Sequence, residues 1–148
     1  QACAIELASV HDSSSLINLV TTGNLKASCE YRRLLSTYPN FRTARPNAPK
    51  IFRFTPMEIW YRQDYGKTKS HVVHLSDALG YAIIWKHGGI YLDLDVISLK
   101  SLSGLANCLP MEEEDRTTNG ILIIDKDHWF LVAVMARCVQ VYDPDEWL

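Results

Sequence analysis

The run His-Gly-Gly-Ile-Tyr-Leu-Asp-Leu-Asp-Val-Ile-Ser-Leu, residues 87–99, constrains this chain more than any other stretch, because it sets two acids one residue apart inside an apolar segment. A strand alternates its side chains between two faces. Tyr91, Asp93 and Asp95 would then point one way, while Ile90, Leu92, Leu94 and Val96 point the other way, into a core. Two residues of rise leave the carboxylate stems about 6.6 Å apart, close enough in a partly dry setting to repel unless a cation lies beside them. A hard divalent ion bound through oxygen resolves the conflict, and Mg²⁺ or Mn²⁺ keeps positions open for substrate phosphates. Two solvated acids at an exposed strand end are the plain alternative. The double glycine before the run and the tyrosine in line with both acids favour the ion.

The surrounding patterns alternate between helix and strand. Ala2, Ile5, Ala8 and Ser9 have helical spacing, residues 14–24 read as a strand or a loop-flanked apolar segment, and Leu25, Cys29 and Leu35 mark a second helix ended by Pro39 and Asn40. Residues 42–50 read as loop. Thr55, Pro56 and Glu58 form the start signal of a short helix with a capping box, and its Trp60 and Tyr61 read as core or pocket wall. From Ser76 to Gly88 the pattern is a buried helix. Ser76 would be its N-cap, Asp77 would face the positive end, Lys86 and His87 the negative end, and Gly88 the left-handed exit. Gly80 is out of place there, since glycine in a helix interior costs about 1 kcal/mol relative to alanine. Residues 119–125 read as a second buried strand after an Asn119-Gly120 turn. Residues 127–142 read as a helix with Phe130, Val134, Cys138 and Val141 on one face. Alternation of this kind predicts an α/β domain with a largely parallel sheet.

The chain has 148 residues, enough for one domain with a real core, and its 47% hydrophobic content argues against disorder. A net charge of −2 gives no overall pull toward nucleic acid or anionic membrane. The charges are uneven: residues 26–70 hold ten of the fifteen Lys and Arg, and residues 111–148 hold nine of the seventeen acids. Two solvated faces or a basic wall beside an anionic ligand would both produce this. Four cysteines are too few for a disulfide-stapled miniprotein and are not spaced as a zinc site. His71 and His74 have a spacing a metal could use, but no helix start signal holds them, and His128 reads as a helix-start residue. No apolar run reaches the roughly 20 residues that cross a bilayer, and no signal peptide is visible in an opening without Met. Both ends look cut, the last stretch being Tyr-Asp-Pro-Asp-Glu-Trp-Leu.

The stretch from Ser76 to Leu102 resembles the sugar-binding region of the α-1,4-galactosyltransferase and α-1,4-N-acetylglucosaminyltransferase family, nucleotide-sugar transferases of the GT-A fold. Residues 1–9 are similar to that family's first helix, Thr-Pro-Met-Glu-Ile-Trp-Tyr to its Thr-Pro-Leu-x-x-Trp-Tyr segment, and residues 118–130 to its Asn-Gly strand and following helix. The resemblance implies one partial GT-A domain truncated at both ends, with the DXD sugar-binding region over about 1–107 and the Asn-Gly strand and helix over about 118–148. It implies retaining transfer of galactose or N-acetylglucosamine from a UDP-sugar to a galactose-ended glycan or glycolipid. Asp93 and Asp95 would bind Mn²⁺, or Mg²⁺, and the donor; Asp77 would hold sugar hydroxyls in a catalytic role; Tyr91, Asn119 and Gly120 would border the sugar. A luminal domain on the Golgi membrane is implied, its anchor lying outside this chain. At Gly80 the family usually has arginine, so a sugar-nucleotide-binding pseudoenzyme is an alternative. Asp-Leu-Asp-Val-Ile also resembles the motif of haloacid-dehalogenase-type phosphatases, but Thr or Val is expected where Ile97 stands, and that motif follows the first strand of its domain.

Overall fold

The structure is a computed structural model that describes residues 2–25, 28–67 and 70–143. Residues 26 and 27 of the expected second helix, 68 and 69 of the polar stretch before His71, and the terminal 144–148 lie outside the described residues. Helices and strands form two compact units, Gln1–Pro46 with Leu92–Leu105 and Asn47–Tyr91 with Ala106–Leu148.

In the first unit, helix α1 (Ala2–His11) buries Ala4, Ile5, Ala8 and Ser9, a stripe of helical spacing. Strand β1 (Ile17–Val20) pairs in parallel with β2 (Phe41–Ala44), Ile17 lying opposite Phe41 and Val20 opposite Ala44. Parallel strands need a crossover, and α2 (Cys29–Thr37) supplies it, capped by Ser28 Oγ, which accepts from the Tyr31 amide at 3.2 Å. Ile5, Leu34 and Phe41 form the small core, with Ile17, Leu19 and Tyr31 packed against it. The loop expected over 42–50 is corrected here. Residues 42–44 belong to β2, whose partner is more than twenty residues away and invisible to local pattern. After it α3 (Ala48–Phe52) starts at Asn47, whose side chain accepts from the Lys50 amide at 3.1 Å.

The second unit continues from α3 through α4 (Met57–Gln63), a 3₁₀ turn at Tyr65–Lys67, α5 (His71–His87) and β3 (Gly89–Leu92). Later come β4 (Met111–Glu113), β5 (Arg116–Thr117), β6 (Ile121–Ile124) and α6 (Trp129–Val141). Phe52, Met57, Trp60, Ala78, Leu131 and Met135 are the fully buried centre of its core. Strand β3 is hydrogen-bonded to β6, and β4 with β5 forms an antiparallel ribbon. In place of one largely parallel sheet, the described strands are arranged two by two, with β1–β2 a parallel pair.

Three helix expectations shift. Thr55 does not cap α4; its Oγ1 donates to the Phe52 carbonyl, Pro56 takes the cap position, and Glu58 reaches back to the Phe54 amide at 2.9 Å. Helix α5 begins at His71 rather than after Ser76, because the buried stripe of Ala78, Leu79 and Ala82 extends back through Leu75 to His74. In α6 the buried line runs through Leu131 and Met135; Phe130, Val134 and Cys138 flank it, and Val141 is 53% exposed. His128 does start α6, its Nδ1 accepting from the Phe130 amide at 3.3 Å. His74 is buried beside Tyr142, whose hydroxyl lies 3.4 Å from its Nδ1, so it serves the core.

Candidate functional site

The strand expected to run through both acids ends at Leu92. Asp93 instead opens a turn, its carbonyl accepting from the Val96 amide at 3.1 Å, with Leu94 and Asp95 at the central positions. Aspartate is depleted in strands and favoured at the first position of such turns, so Asp93 itself leads the chain out of the sheet. The expected apolar core face is overturned with it: Ile90 and Leu94 are exposed, and Ile97 and Leu99 further along are 51% and 82% exposed. Both acids now lie two positions apart on one four-residue turn at the carboxyl end of β3. Asp93 is half-buried and Asp95 exposed.

The segment beyond the turn is held by a residue that local pattern does not single out. Asp12, at the end of α1 in the same unit, accepts from Ser101 Oγ, from the Leu102 amide at 3.3 Å and from the Ser103 amide at 3.2 Å. Burial alone would raise its pKa. The hydrogen bonds from Ser101, Leu102 and Ser103 and the nearby His11 outweigh that and hold the carboxyl below its ordinary value. The segment that follows the Asp93–Val96 turn is thereby tied to α1.

Asp77, Tyr91, Asn119 and Gly120 fall in the second unit. Asp77 lies in the second turn of α5, too far from its start to serve the helix end, so its reading as a helix-terminus acid is overturned. It is half-buried and close enough to Cys138 on α6 that burial first, and its negative charge second, push that thiol's pKa up. Tyr91, on β3, lays its ring against Gly80 of α5. Asn119 and Gly120 sit in the bend just before β6 rather than on the strand; Gly120 is buried, and its amide donates to Thr118 Oγ1 at 3.1 Å. Because β6 pairs with β3, that bend and Tyr91 belong to the ends of one two-stranded sheet.

A cavity of about 190 Å³ opens at the carboxyl ends of β1 and β2, lined by Thr21, Asn24, Tyr31, Thr43 and Arg45 among others. Tyr31 Oη lies 2.9 Å from Thr43 Oγ1, and the Arg45 guanidinium donates to the Gly23 carbonyl at 3.0 Å. Ligands gather at such strand ends, but the position becomes recognisable only once the two strands are known to pair. Much of the basic run over 26–70 is otherwise engaged locally: Arg33 pairs with Glu6 and Glu30, Arg62 with Glu58, and Lys67 with Asp64.

Two carboxylates on one turn are the hard-oxygen donor set that Mg²⁺ and Mn²⁺ accept together with substrate phosphates. Among the described residues no group of three or more His, Cys, Asp or Glu side chains gathers as a ready-made metal cage, at this turn or elsewhere. By donor type, two carboxylate side chains fit such an ion, supplying part of its oxygen shell. The phosphatase alternative fits less well, since Asp93 follows the third strand of the chain and five helices, not a first strand.

Comparison with known proteins covers the same residues. The family model described as a glycosyltransferase sugar-binding region containing the DXD motif matches residues 3–115, a span in which Asp93-Leu94-Asp95 is the one Asp-x-Asp. Rat lactosylceramide 4-alpha-galactosyltransferase is 29% identical over 151 residues, covering 98% of this chain and 42% of that protein. Its human counterpart is 35% identical over 115 residues, covering 77% and 33%. Human alpha-1,4-N-acetylglucosaminyltransferase is 34% identical over 122 residues, covering 76% and 36%. The chain thus spans well under half the length of these relatives. No solved structure gives a significant match. With the family model matching 113 of the 148 residues and the Asp-x-Asp turn inside the match, the chain belongs to the glycosyltransferase sugar-binding regions containing the DXD motif.

Proposed function

We propose that this chain is the donor-binding part of a metal-dependent hexosyltransferase of the GT-A fold. It would transfer galactose or N-acetylglucosamine from a UDP-sugar, with retention, to a galactose-ended glycan or glycolipid. The names of the relatives support the two donor sugars and, for the galactosyltransferases, the glycolipid. The observation that supports the reading is the Asp93–Val96 turn, which carries both Asp93 and Asp95 at the end of β3. Asp93 and Asp95 would hold Mn²⁺ or Mg²⁺ with the donor diphosphate. When bound, the ion offsets the negative charge that develops on the departing UDP, so no proton donor is required there. Asp77 would accept hydrogen bonds from sugar hydroxyls, Tyr91 would pack on the ring, and the Asn119-Gly120 bend would border it. We further propose a luminal position at the Golgi membrane through an anchor outside this chain; no helix among the described residues is long and apolar enough to cross a membrane.

Isothermal titration of UDP with and without Mn²⁺, on the protein and on Asp95→Ala, tests this. We expect UDP to bind only with the ion, and Asp95→Ala to weaken it at least about tenfold, the loss of a charge-assisted contact. Equal affinity in both proteins would remove the metal site.

A further inference from the structure

Gly80 lies in the middle of α5 between buried Leu79 and Tyr81, at a place where alanine would make an isolated helix firmer. The structure gives it a use. A Cβ at this position would stand 3.0 Å from Cε2, 3.1 Å from Cζ and 3.3 Å from Cδ2 of Tyr91. One edge of the ring therefore lies on the bare Cα, in the space a side chain at residue 80 would fill. Asp77 is three residues earlier on the same helix face, where side chains stand about 5–6 Å apart. Tyr91 as a whole is half-buried.

We propose that Gly80 is a positioning residue. By carrying no side chain it seats the Tyr91 ring on α5 one turn from Asp77, and the ring and the carboxylate together form a wall for the donor's hexose. The aromatic face would pack against the sugar's C–H surface while the carboxylate accepts from its hydroxyls. This rests on the hexosyltransferase reading and assigns the sugar moiety, not the diphosphate, to the pair.

The test is a double-mutant cycle of Gly80→Ala, Tyr91→Ala and both together. Each protein is titrated with UDP-galactose, UDP-N-acetylglucosamine and UDP in the presence of Mn²⁺, and each is melted without nucleotide. We expect Gly80→Ala to weaken the better of the two sugar nucleotides about fivefold, because the displaced ring loses its fit, and to leave UDP affinity unchanged. In the Tyr91→Ala background, adding Gly80→Ala should weaken nothing further and should raise the melting temperature, since alanine favours the helix. Gly80→Ala binding the sugar nucleotides as tightly as the parent overturns the proposal. So does an equal loss in the Tyr91→Ala background, because the loss would then not pass through the ring. If the parent protein binds no nucleotide, the donor reading itself has failed. The melting cycle still decides the seating in that case: additive shifts reject it and a non-additive pair retains it.

Discussion

Gly88 ends α5 with φ +69°, and a Cβ there would lie 2.7 Å from the Lys126 amide nitrogen. Two requirements thus meet at one residue: a left-handed turn and a close approach of the loop that follows β6. An alanine meets both penalties, so Gly88→Ala should lower stability by about 3 kcal/mol. Urea unfolding checks this, with the midpoint falling and the slope unchanged; a loss under about 0.5 kcal/mol would mean that the turn relaxes freely. This glycine was legible, because a glycine after a basic helix end has a standard meaning. Gly80 was legible only as an anomaly. Its explanation is a ring eleven residues away, which helical spacing alone does not reveal. Asp77 is obscured for a related reason: a cap-like serine marks a helix start at Ser76, whereas burial of His74 and Leu75 carries the helix back to His71.

At the scale of elements, the acids of the Asp-x-Asp motif depend on a turn and on the segment behind it, and Asp12 holds that segment to α1. A carboxyl whose pKa is lowered on folding stabilises the fold fully above its unfolded value, and that stability is lost as pH falls through the folded value. The ordinary value is 3.8, and Asp12 lies below it. Asp12→Asn should therefore cost a constant amount, about 1 kcal/mol, at pH 5 and above. The difference from the parent should shrink below about pH 4. Urea titrations from pH 2 to 7 decide it; a difference that grew toward acid pH would refute the ionised role. Among the elements themselves, α1, β1, β6 and α6 were readable from periodicity, because each shows its own stripe or run. The β2–α3 stretch was not, because a four-residue strand with an exposed, polar middle takes its conformation from pairing with β1. The motif strand failed for the opposite reason: its apolar run promised a core face, and Asp93 turned the chain before that face could form.

For the whole molecule, alternation of helix and strand was evident, while the arrangement of strands was not. The β3–β6 pair joins segments separated by roughly thirty residues of chain, and no local signal encodes that choice. The same spread makes the four thiols useful reporters, since each cysteine is free and each lies on a different part of the fold. Cys3, Cys29 and Cys108 are exposed, whereas Cys138 is half-buried on α6. The thiolate is the reactive form, and burial together with the Asp77 charge pushes the Cys138 pKa up. Ellman's reagent at pH 8 should therefore label three thiols quickly and the fourth slowly, while a reductant leaves the melting temperature unchanged. Asp77→Asn should speed the slow thiol without making it as fast as the others, because burial is the larger cause. If the slow phase ignored Asp77→Asn, the carboxylate would not face α6, and its place beside the Gly80–Tyr91 contact would have to be redrawn.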